Sequence, residues 1–187
     1  MRYVPRLIPA GSAPHEALVE PLIANPPKSP LGEHELIPQV AWMVEVDGVF
    51  EHAIDGDLDE IRGLAIETML DGELASEALE RLPGVHLATN GTYAAELLID
   101  PDHLGTIHEL LKVDGYLAAA PRRGRLLVGG VGGGIEGMRA FIENAKAEFE
   151  AAPVDDRISP VALFVRGGKP TAVIGELQLI ALAQTMR

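Results

Sequence analysis

Gly115 to Glu150 constrains the fold of this chain more than any other stretch. An apolar run, Tyr116 to Ala120, enters a basic turn, Pro121-Arg122-Arg123-Gly124-Arg125, and Leu126 to Val128 leaves it. A glycine cluster follows (Gly129, Gly130, Gly132, Gly133, Gly134, Gly137). Beyond it Ile135, Met138, Ile142, Ala145 and Phe149 recur at helical spacing, and Phe141 widens their stripe. Two apolar runs joined by a short turn predict an antiparallel hairpin. The helix after them has one apolar face, which needs a sheet to cover it.

The same hairpin-then-helix order recurs along the chain. Val40 to Val46 and Val49 to Ile54 flank Asp47-Gly48, a two-residue turn suited to type I′ geometry. Asp57 to Leu70 predicts a helix with acids in its first turn, where the helix dipole favours them. Asp71-Gly72 interrupts that helix, and Glu73 to Leu82 is expected to resume it until Pro83-Gly84. Val85 to Thr89 and Thr92 to Ile99 flank Asn90-Gly91 and predict a second hairpin. Asp100-Pro101 predicts an N-cap and first helical position, opening a helix to about Leu111. Ser159 to Val165 and Thr171 to Ile174 predict a last strand pair, and Glu176 to Met186 a closing helix. The expected fold is α+β: a largely antiparallel sheet built from hairpins alternating with helices that pack on it.

Eight of the 14 prolines lie in the first 38 residues. Residues 1–38 are therefore expected to form an irregular arm packed on a single domain, residues 39–187, with one short helix at Pro14 to Ala24. Val4, Leu7, Ile8, Leu18, Leu22 and Ile23 supply the arm's apolar contacts.

The chain of 187 residues has no cysteine, which removes thiolate chemistry, cysteine zinc sites and disulfides. No apolar run is long enough for a membrane span, and the N-terminus lacks a secretory h-region, so a cytoplasmic protein is expected. The net charge of −13, from 28 acids and 15 bases, opposes binding to nucleic-acid phosphate; it serves solubility, and its functional reading is attraction to a basic partner.

Candidate chemistry is sparse. Gly132-Gly133-Gly134-Ile135-Glu136-Gly137 matches a dinucleotide fingerprint by letter and follows a strand. Only 50 residues remain after it, too few for the parallel sheet that normally carries such a loop, and Glu136 would repel phosphate. Arg122, Arg123 and Arg125 form the densest positive cluster and could clamp a carboxylate or phosphate. They and Gly132, Gly133 and Gly134 are the candidate ligand-binding residues. Asp55, Asp57 and Asp59 alternate as in a calcium loop, but Glu60 and Ile66 occupy the positions that need glycine and glutamate. His103 and His108 are five apart, pointing about 140° from each other on a helix, so they cannot share a metal. No catalytic motif occurs, and neither a metal nor a cofactor is expected. The last helix is apolar around most of its circumference, so either the domain encloses it or it forms a subunit contact in a homo-oligomer, with Leu179, Leu182 and Met186 as the candidate contact residues.

One pattern is similar to a known family. Gly91-Thr92-Tyr93-Ala94-Ala95-Glu96-Leu97-Leu98-Ile99 precedes a helix. Tyr116-Leu117-Ala118-Ala119-Ala120-Pro121 and Arg125-Leu126-Leu127-Val128-Gly129-Gly130 follow, and then Ile158-Ser159-Pro160-Val161-Ala162-Leu163-Phe164. Across about residues 39 to 175 the chain resembles the YtpQ-like family of uncharacterised bacterial proteins. The resemblance implies a cytoplasmic α+β domain and supplies no catalytic residue. The functional expectation is a non-enzymatic, acidic interaction protein of the immunity or adaptor kind. The alternatives are an anionic-ligand or enzyme domain using the arginine turn and glycine loop, and a structural subunit of a homo-oligomer.

Overall fold

Two antiparallel sheets face each other across a shared core, and a long helix covers the far side of the larger one. The structure is a computed structural model and describes residues 2–28, 32–82, 86–175 and 178–179. Its helices and sheets make the α+β fold that the chain's patterning predicts.

The smaller sheet is built on β3 (Gln39–Val46). β1 (Tyr3–Ile8) pairs with one side of it, and β2 (Val19–Pro21) and β4 (Val49–His52) share the other. The β3–β4 turn is the expected one: Val46 faces Val49, and Asp47 and Gly48 both take positive φ, 51° and 81°. The proline-rich arm packs on the domain but is not irregular. It supplies β1 and β2, and no helix forms between Pro14 and Ala24. Local proline content gave way to pairing with β3. Pro5 is tolerated because β1 is an edge strand, where a missing N–H costs no ladder bond.

The larger sheet runs β10-β9-β7-β8-β6-β5. Its strands are β5 (Ala75–Ala78), β6 (His86–Asn90), β7 (Tyr116–Arg122), β8 (Arg125–Gly130), β9 (Ala162–Arg166) and β10 (Lys169–Ile174). β7 and β8 are apolar without alternation because both of their faces are buried. On one face α3 (Gly134–Ala151) lays Met138, Phe141 and Ala145 over Ala88, Leu117, Ala119 and Leu127. On the other, Tyr116, Leu126 and Val128 join a core with Trp42, Val4 and Leu7 of the smaller sheet. Ile61, Ala65 and Met69 of α1 (Leu58–Leu70) and Leu104 and Ile107 of α2 (Pro101–Leu111) complete that core. α2 starts as expected, with the side chain of Asp100 accepting from the amide of Asp102; α1 starts one residue later than expected, with Asp57 as its cap, accepting from the amides of Asp59 and Glu60.

Two further local expectations fail against long-range pairing. Glu73 to Leu82 does not resume a helix; its centre becomes edge strand β5, where Ser76 Oγ lies 3.0 Å from Thr89 Oγ1. Asn90-Gly91 does not turn a hairpin. β6 takes β5 and β8 as neighbours, and the chain beyond Gly91 folds into a 3-10 helix, Ala95–Ile99. Gly91 is needed there for close approach: it has φ 153°, and a Cβ would lie 2.9 Å from Leu74 Cδ2. Of the expected closing helix, Gln178 and Leu179 are helical; Leu182 and Met186 lie outside the described residues.

Candidate functional sites

The arginine turn forms as a hairpin tip, with Arg122 opposite Arg125 and Gly124 at φ 67°. Its three arginines do not all converge on one space: Arg122 and Arg125 border a common cleft, and Arg123 does not line it. Arg125 is 9% exposed, and all of its guanidinium nitrogens are occupied. Nε and Nη2 donate to the two oxygens of Glu148 at 2.9 and 3.0 Å, a bidentate pair. Nη1 donates to Glu77 Oε1 and to Asn90 Oδ1, both at 2.7 Å. Burial works to lower the Arg125 pKa, but the hydrogen bonds and charges of Glu148 and Glu77 outweigh it and raise it. Arg125 in turn, with Asn90, holds the Glu77 carboxyl below the usual range. Arg123 uses Nε on the Asp155 carbonyl and its amide on the Asp156 carbonyl. The cleft beside Arg122 and Arg125 also presents Glu148 and Asp156, which would oppose an anion.

The glycine loop sits at the opposite end of β8, about 17 Å from Arg125 at the usual strand rise. One phosphate cannot touch both. Gly132 and Gly133 lie in a 3-10 turn, Val131–Gly133, and Gly134 opens α3 at φ 63° with open space around it. Gly129 has a packing role: a Cβ there would come 2.7 Å from Phe141 Cδ2, on which the His86 ring stacks. Of the two readings of the last helix, enclosure or subunit contact, Leu179 follows the first: it is 2% exposed and packs within its own chain in the core under α3.

The structure brings together other residues instead. A groove of about 680 Å³ opens between the two sheets, larger than clefts of about 410 and 430 Å³ elsewhere. Trp42 donates through Nε1–H to Glu20 Oε2 at 2.9 Å. Arg62 Nη2 donates to the other Glu20 oxygen at 2.6 Å, while its Nη1 reaches Asp59 at 2.7 Å. Leu22, Ile23, Val40, Leu98 and Ile99 supply apolar walls, and the β9–β10 turn brings in Lys169. That turn is tight against α2: a Cβ on Gly168 would lie 2.8 Å from the Pro101 carbonyl oxygen. The register Glu20↔Val40 places Glu20 here, so the site depends on a β2–β3 pairing that the sequence pattern does not announce.

Glu96 is the other residue that sequence reasoning passed over. It is fully buried in the 3-10 helix. The amide of Leu7 donates to its Oε1 at 3.3 Å, and Oε2 has no hydrogen-bond partner among the described residues. Burial pushes its carboxyl above the usual range, against the downward pull of Arg6, of its own and Leu7's amides, and of Arg123. A lone acid inside Tyr93 to Ile99 was the available signal.

The exposed charge is strongly asymmetric. Residues 67–80 carry five acids, Glu67, Asp71, Glu73, Glu77 and Glu80, and no lysine or arginine. All five are exposed; Leu70 (51% exposed) and Leu74 lie between them in the sequence, and exposed Leu64 lies one turn before Glu67 on α1. Among the described residues, no three His, Asp or Glu gather as a metal set, and no helix is long and apolar enough to cross a membrane. No family model matches the chain, and neither a curated protein nor a solved structure matches it.

Proposed function

We propose that this is a non-enzymatic, acidic interaction protein of the cytoplasm that binds a basic protein partner through the acidic segment running from α1 through β5. The supporting observation is the run of exposed acids Glu67, Asp71, Glu73 and Glu80 with exposed Leu64, Leu70 and Leu74 close by in sequence, and no lysine or arginine in residues 67–80; the fifth acid, Glu77, is met by Arg125. Buried or half-buried cations elsewhere are committed inside the fold: Arg125 to Glu148 and Glu77, and Arg62 to Glu20 and Asp59. A field of this sign speeds encounter with a basic partner by about 10- to 1,000-fold at low salt. Exposed leucines supply the apolar contact that persists once the partner is seated. The resemblance to the YtpQ-like family belongs to the same proposal, since it implies a cytoplasmic domain without assigned catalysis.

The test is capture by the tagged protein from its native lysate at low and high salt. The reading expects a near-stoichiometric basic protein whose association slows as salt rises. A partner with a salt-independent association rate, or no partner under either condition, contradicts it.

A further inference from the structure

We propose that the groove between the two sheets is a binding site for an amphipathic anion, a small molecule with an apolar body and one carboxylate-like head. The inference is independent of the acidic segment and goes beyond it. A space of about 680 Å³ falls in the range of small-molecule sites, which combine apolar walls with a few placed polar groups.

The head group follows from the local charges. Three charged side chains line the groove: Glu20, Arg62 and Lys169. Both oxygens of Glu20 are committed, one to the Trp42 indole and one to Arg62. Its negative charge is therefore already met within the wall. The Lys169 side chain has no hydrogen bond or ion pair with any described residue. The charge left for a ligand is therefore positive, on a protein whose net charge is −13. A cationic amphiphile would meet Lys169, and a neutral one would gain nothing from it. The tight Gly168 turn holds the backbone that carries Lys169 against α2, so the rim is set before a ligand arrives. Leu22, Ile23, Leu98 and Ile99 offer the body an apolar wall.

Trp42 is the chain's only tryptophan and lines the groove, so its fluorescence reports occupancy directly. The experiment titrates the intact protein with octanoate, octanol and octylamine at one ionic strength. The expected order is octanoate tightest, then octanol, then octylamine. Lys169→Glu, an exposed change, should weaken octanoate about tenfold while leaving octanol and the melting temperature unchanged. Thr171→Phe, which adds bulk at the groove's edge, should weaken octanoate and octanol together. Absence of octanoate binding, equal affinity for octanoate and octanol, or octanoate binding unaltered in Lys169→Glu would each overturn the proposal.

Discussion

The arginine turn and the rim of the inter-sheet groove both carry cations, and they use them in opposite ways. At the turn, Arg125 is almost wholly buried, with a carboxylate or amide oxygen on every guanidinium nitrogen. At the groove, Arg62 neutralises Glu20, but Lys169 is exposed and has no described partner. The denser positive cluster is thus the less available one. Sequence density measures how many charges lie close along the chain. Availability depends on what the fold places opposite them, and Glu148, Glu77 and Asn90 come from three distant elements.

Substitutions can break this contrast, and the largest effect belongs to the turn. Arg125→Met leaves Glu148 and Glu77 without their shared cation. Breaking the largely buried pair with Glu148 is expected to cost about 3 kcal/mol, read as a lower urea midpoint at unchanged slope. A loss within 0.5 kcal/mol would show that Arg125 is not committed to the fold.

Glu96 sharpens the contrast from within the core. Its folded pKa is raised, so the stability it contributes is fully present below the ordinary value of 4.5 and is lost as pH rises through the folded value. The Glu96→Gln variant should therefore gain on the wild type in chemical denaturation as pH rises above the ordinary value of 4.5. Parallel pH profiles for the two proteins would refute the buried-acid account. Arg6 and Arg123 face this group and limit the size of the effect.

The smallest effect on stability belongs to the groove. Lys169→Ala should change the unfolding free energy by less than about 0.5 kcal/mol, since an exposed side chain without partners contributes little to the fold. A cost comparable to that of Arg125→Met would erase the distinction between the two regions.

Much of the architecture was legible wherever a local signal agreed with long-range pairing. Asp47-Gly48 turned its hairpin, Asp100-Pro101 opened α2, and the Met138, Phe141, Ala145 stripe of α3 found its sheet. The signals failed where a distant strand competed. Asn90-Gly91 could not turn back because β6 lies between β5 and β8. The segment from Glu73 to Leu82 has helical spacing, but β6 offered it an edge. The prolines of residues 1–38 hid two strands because edge positions tolerate a missing amide hydrogen. The groove was less legible still. Glu20, Trp42 and Arg62 are about twenty residues apart, and only the β2–β3 register and the packing of α1 bring them together.

The most direct test of the account reverses charge in one region at a time. A Glu67→Lys, Asp71→Lys, Glu73→Lys protein and a Lys169→Glu protein would be compared with the wild type in capture from native lysate at low salt. The account predicts that the triple variant loses the basic partner while the Lys169→Glu protein retains it, with both folded by circular dichroism. Retention of the partner by the folded triple variant would contradict the assignment of the α1–β5 segment.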